Sequence, residues 1–167
     1  TEDDPYRLMS DSDEDLSGVK LNTRYSGEYI RFGTGENYLY RIVSHETRGL
    51  TKITSAEPLK ENGVFKTISF GNDTYYSSTN TIGTFLNGEY LSSYIDSNHI
   101  NMIEDSSTWY LGEVRSRASY KLAKYANYDM ANYAKSTNAK IGLLRFGELM
   151  SGQFNVFSSN TDYWLLT

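Results

Sequence analysis

Tyr29-Ile30-Arg31-Phe32-Gly33-Thr34-Gly35-Glu36-Asn37-Tyr38-Leu39-Tyr40-Arg41-Ile42-Val43 is the stretch on which the reading of the fold turns. Two runs of β-branched and aromatic residues flank a five-residue link containing glycine, the pattern of an antiparallel hairpin. A third run, Leu50 to Thr54, follows the polar segment Ser44 to Gly49 and continues the meander.

Downstream of this meander the periodicity changes. Thr79-Asn80-Thr81 precedes Ile82, Phe85, Leu86, Tyr90 and Leu91, which have helical spacing with Ser or Thr placed to cap the first turn. The spacing predicts a short helix from Thr81 to about Ser92, weakened by Gly83 and Gly88. Ser97 to Ile103 suits either strand or helix, and Trp109-Tyr110-Leu111-Gly112 reads as a buried turn or short strand. Ser116 to Lys135 holds neither Gly nor Pro. There Leu122, Ala123, Ala126, Met130 and Tyr133 fall opposite Lys121, Lys124, Tyr128 and Lys135, which predicts the longest helix of the chain. Ile141 to Phe146 reads as a buried strand, Gly147 to Gly152 as a turn of helix and Tyr163 to Leu166 as a closing strand. The expectation is an α+β fold: an antiparallel sheet with two or three helices in a single domain.

Upstream, the first fifteen residues carry seven acidic side chains and one arginine. Residues 1–18 are therefore expected to form a solvated acidic arm, and residues 19–167 the folded domain. A chain of 167 residues suits one core. The net charge of −5 disfavours nucleic acid as a partner, because such binding needs cations to neutralise phosphates. No apolar run is long enough to span a bilayer. With no cysteine, disulfides, thiol nucleophiles and Cys-ligated zinc are excluded.

Few constellations suggest chemistry. Asp11, Asp13 and Asp15 have the alternation of a calcium loop, but Leu16 stands where glycine is needed and Asn22 where a bidentate glutamate belongs. The readings are a weak calcium site or a solvated acidic segment, and no other cofactor is expected. His45 and His99 lack zinc-ligand spacing, and no G-x-S-x-G or Walker-type loop occurs. Glu104, Asp105, Glu113, Glu148 and Asp162 are candidates by residue type for a two-carboxylate glycosidase. The fifteen tyrosines are the more suggestive feature. Tyr75, Tyr76, Tyr120 and Tyr128 are the candidate binding residues, as rings that stack on sugars or on a neighbouring subunit; the alternative is that they cover their own domain.

Several phrases taken in order resemble a domain of secreted and surface proteins of Firmicutes, of the DUF6273 type, some with prepilin-like N-termini. They are Glu36 to Val43, Thr81 to Asn87, Trp109 to Gly112, Ile141 to Leu144 with Gly147 to Leu149, and Tyr163 to Thr167. The resemblance implies a fold and an extracellular, cell-surface setting, and no catalytic residues. Chains of that family continue past the last phrase, so the C-terminal end is expected to be truncated or completed by another segment. The resulting expectation is a Gram-positive surface or pilus-like appendage module acting in assembly or adhesion, not an enzyme. Its expected partners are copies of itself, other surface subunits, or a glycan or host ligand. The alternatives are a wall- or carbohydrate-active enzyme with paired carboxylates and a phage receptor-binding component.

Overall fold

A computed structural model describes residues 1–9, 18–112, 131–145, 147–148 and 164. The fold is α+β, and its contacts gather into two compact units: Thr1–Thr67 with Leu91–Ile103, and Ile68–Tyr90 with Glu104–Thr167.

The first unit is built on a sheet of order β1-β2-β3-β4, comprising Tyr6–Arg7, Tyr29–Arg31, Leu39–His45 and Thr51–Ser55. The hairpin predicted from residues 29–43 is present: β2 and β3 pair antiparallel with Tyr29 opposite Arg41, Ile30 opposite Tyr40 and Arg31 opposite Leu39. The third predicted run is β4, antiparallel to β3. Alternation along β2 and β3 puts Ile30, Tyr40 and Ile42 inside and Tyr29, Arg31 and Arg41 on the opposite face. A register shift between Ile42 and Ser44 then buries Val43 beside Ile42, so two consecutive residues of one strand serve the core.

Two elements of this unit differ from expectation. The acidic start is not wholly a solvated arm, because Tyr6–Arg7 is a strand parallel to β2 and Leu8 is buried and bridged to Val19. Burial of Leu8 and the main-chain bonds from Met9 N to Val19 O (3.0 Å) and Val19 N to Arg7 O (2.8 Å) outweigh the surrounding charge. A second hairpin, β5 (Lys60–Glu61) and β6 (Val64–Phe65), turns at Asn62-Gly63 with φ of 55° and 77°. That is the type I′ geometry for which Asn-Gly is the preferred pair. Asn37 fastens this hairpin: its Nδ2 donates to Lys60 O and its Oδ1 accepts from Lys60 N, both at 2.8 Å.

Ser97–Ile103 resolves as a short 3-10 turn at Ile100–Met102, beside the four-residue α2 (Leu91–Tyr94). His99 is buried there, stacked on Phe32 at 5.1 Å with its Nδ1 donating to Phe32 O at 3.1 Å. Gly33 lies in the crowded passage between Asn37 O, the Tyr40 ring and Tyr94 O, where a Cβ would overlap all three.

In the second unit, α1 (Thr81–Phe85) leads into a π-helical turn at Leu86–Tyr90. Asn80, not a Ser or Thr, caps α1, its Oδ1 accepting from Gly83 N at 2.9 Å. Gly83 lowers helix propensity, but a Cβ there would strike the Ser77 carbonyl, so close packing requires it. β7 (Ser107–Gly112) pairs antiparallel with β8 (Ala131–Ala139). The last five residues of the helix predicted over Ser116 to Lys135 are therefore strand, with Ala131 and Asn132 paired to Gly112 and Leu111 of β7; the rest of that prediction lies outside the described residues. Ile141 to Arg145 is irregular, not the predicted strand. Gly147 and Glu148 are helical as expected, whereas the predicted closing strand is described only at Trp164, which is not in a strand.

The core of this unit comprises Tyr76, Ile82, Leu86, Leu111 and Ala139, with Ile68, Phe70, Trp109, Ile141 and Leu143 packed against them. Asn87 ties the irregular segment to the helical one. Its Nδ2 donates to Ile141 O (3.1 Å), Gly83 O (2.9 Å) and Tyr76 Oη (3.1 Å), and its Oδ1 accepts from Ile141 N (2.9 Å). Asn87→Ala is expected to lower the stability of this unit by roughly 2 kcal/mol, since it strips partners from the Ile141 main chain. Asn87→Asp should cost at least as much, because a carboxylate cannot donate to Ile141 O; thermal unfolding followed by circular dichroism checks both.

Candidate functional site

On the outer face of the four-stranded sheet, strand register sets arginines beside tyrosines. Arg7 lies next to Arg31 across the parallel β1–β2 pair, and Arg41 faces Tyr29 across β2–β3. The Arg41 guanidinium sits 4.6 Å from the Tyr29 ring centroid and its Nε donates to Gly27 O at 3.0 Å. Arg31 is exposed and lies 5.3 Å from the ring of Tyr38. The loop entering β2 carries a second group: Arg24 is 4.7 Å from the Tyr6 ring and 6.0 Å from the Tyr25 ring, and 3.8 Å from the Glu28 carboxylate. Glu28 in turn accepts from Tyr25 N at 2.9 Å, and the Tyr25 ring is 70% exposed.

Such stacking holds a guanidinium flat and limits the side-chain entropy lost when it meets a carboxylate, sulfate or phosphate through its fork of N–H donors. The tyrosine rings add apolar area with few torsions to freeze. The chemistry available on this face is pairing of a guanidinium with a carboxylate, sulfate or phosphate group.

The candidates drawn from the sequence separate. Tyr75 is 54% exposed and remains a surface ring. Tyr76 is a correction: it is 3% exposed, and its hydroxyl donates to Ile141 O while accepting from Asn87, so its ring packs in the core instead of meeting a ligand. Tyr120, Tyr128 and the calcium candidates Asp11, Asp13 and Asp15 lie outside the described residues. Among the described residues no group of three or more His, Asp or Glu is placed to hold a metal ion.

Comparison with known proteins finds no matching family model, no matching curated protein and no matching solved structure.

Of the other titratable candidates, Glu113 and Asp162 lie outside the described residues, and His45, Asp105 and Glu148 have structural partners. His45 bonds Thr51 Oγ1 through Nδ1 (2.9 Å) and Arg24 O through Nε2 (2.5 Å), which ties β3 to the Arg24 loop. Glu148 accepts from Arg145 N at 2.9 Å, in the manner of a helix-capping glutamate. Asp105 is held below the usual carboxylate range by hydrogen bonding and charge attraction from Lys140 at 2.8 Å. The Arg–Tyr face was not found from the sequence. Its signal is the Tyr-x-Arg alternation of Tyr29 and Arg31, which becomes a surface only once the register with Arg41 and Arg7 is known.

Arg41→Lys keeps the charge but loses the planar stack and the Nε bond to Gly27 O, and is expected to cost about 1 kcal/mol in chemical denaturation. Burial pushes the Tyr76 phenol above its ordinary 10.0. A proton retained more tightly by the folded state gives stability that is complete below 10.0 and declines as pH rises above it toward the folded value. Alkaline unfolding curves should therefore fall less steeply above that pH in Tyr76→Phe than in the parent.

Proposed function

We propose that this chain is a non-catalytic binding module of the bacterial cell surface, a pilus-like or adhesive subunit, and that the Arg–Tyr face of its first unit is the contact surface. The observation that carries this reading is the register that sets Arg7, Arg31 and Arg41 on one sheet face with Tyr29. Arginines gathered on one face attract a partner of opposite charge and steer its approach.

The chain itself supplies complementary chemistry. Its net charge is −5, and Glu2, Asp3 and Asp4 are exposed. A basic face on one copy and acidic residues elsewhere on the next make unlike surfaces that attract, the contact type that generates open, head-to-tail assemblies. The ordered resemblance to surface proteins with prepilin-like N-termini supports the same setting.

Light scattering after size-exclusion chromatography, with negative-stain imaging, tests this. Mass should grow with protein concentration at low salt and fall as salt is raised past about 0.15 M, where the Debye length is about 8 Å. The paired reversal Arg31→Glu with Arg41→Glu should abolish the growth while leaving the circular dichroism spectrum unchanged. A parent chain that stays monomeric throughout would refute the assembly reading.

A further inference from the structure

The turn joining β5 to β6 carries a reactive dipeptide. Glu61, Asn62, Gly63 and Val64 are all exposed. In an Asn-Gly pair the main-chain nitrogen of the glycine can attack the asparagine side-chain amide, because no Cβ on the glycine obstructs the approach. The nitrogen attacks only after losing its proton. Here Gly63 N–H donates to Glu36 Oε2 at 2.9 Å, from a residue 27 positions away in the chain. A carboxylate on that hydrogen opposes formation of a second negative charge on the nitrogen. The same bond braces the turn in its positive-φ geometry, which ring closure must abandon.

We propose that Asn62 is a covalent modification site that converts spontaneously to aspartate and isoaspartate, and that Glu36 sets its rate by holding the Gly63 amide. In the first step the Gly63 nitrogen bonds to Asn62 Cγ, the Cγ–Nδ2 bond breaks, and ammonia leaves with the proton given up by the amide. Water then opens the cyclic imide at either carbonyl. One opening leaves aspartate, the other an isoaspartate whose main chain is longer by one carbon and cannot keep a two-residue turn. Either product places a new carboxylate beside Glu61 and Glu36, where like charges repel.

The sequence contains a second Asn-Gly pair, Asn87-Gly88, which serves as an internal reference. Asn87 sits in the π-helical turn, with its side-chain amide engaged by Gly83, Tyr76 and both main-chain groups of Ile141. Release of Asn87 requires loss of all these bonds, whereas release of the Asn62 turn requires loss of the Glu36 bond. Local opening exposes Asn62 alone, and general unfolding exposes both.

Site-resolved peptide mass spectrometry, with isoaspartyl methyltransferase labelling, on the full chain aged in mildly alkaline buffer reads the two positions separately. Glu36→Ala is expected to speed conversion at Asn62 about tenfold, equivalent to about 1.4 kcal/mol of barrier, with Asn87 unchanged. Glu36→Gln keeps an acceptor without the charge and should fall between parent and Glu36→Ala. Equal Asn62 rates in parent and Glu36→Ala would overturn the gate. Conversion of Asn62 and Asn87 in step would overturn it too, by assigning the effect to unfolding, and an Asn62 that stays intact in Glu36→Ala would overturn the site itself.

Discussion

Two asparagine side chains do the work that a sheet neighbour would otherwise do. A carboxamide carries a donor and an acceptor side by side, the same pair that a peptide unit presents, so it can satisfy both main-chain groups of one residue. Asn37 does this for Lys60 and Asn87 for Ile141. Without them, a two-residue strand and an irregular segment would each lose two of the bonds that fix their positions. The contact is specific to the amide: an alanine supplies neither group and an aspartate only the acceptor. Each unit thus contains a polar contact made over a long sequence separation, in addition to its apolar packing.

That packing is modest in each case. In the first unit Ile30 and Ile42 are fully buried, and the bulge at Val43 adds a third aliphatic side chain from the same stretch of hairpin. In the second, Tyr76, Ile82, Leu86, Leu111 and Ala139 close around the Asn87 contact. Burial of His99 and Asn80 is tolerated because each has its hydrogen-bond partners, Phe32 O for the one and Gly83 N with Tyr75 O for the other. Among the described residues no buried side-chain nitrogen or oxygen lacks a partner.

Legibility in the sequence followed interaction range. The hairpin of residues 29–43, the strand after it and the helix beginning at Thr81 are local patterns, and each is where periodicity placed it. β1 was hidden because Tyr6-Arg7-Leu8-Met9 offers only three apolar side chains, interrupted by an arginine, inside an acidic run, and its pairing with Tyr29–Arg31 is decided more than twenty residues away. β8 has a composition as acceptable in a helix as in a strand, so the partner, β7, settled the matter. Asn62-Gly63 was a legible hairpin signal, passed over because the flanking strands are only two residues long. Of the surface, Tyr75 and Tyr76 were both read as candidate binding rings, yet Tyr75 is exposed and Tyr76 beside it points inward, a difference of side-chain direction that composition does not carry. The arginine face needed register before it could exist.

Trp109 packs its ring against Gly142, where a Cβ would collide with the indole, and its Nε1 donates to Ala139 O at 2.9 Å. The other tryptophan of the sequence, Trp164, lies 5.2 Å from the Phe70 ring and donates to Ile68 O. Both belong to the second unit. Indole emission from this protein is thus an optical label for one unit alone, already built into the chain. The first unit contains no indole, so an unfolding transition seen by this emission belongs to the second unit, while a far-ultraviolet signal follows the whole chain.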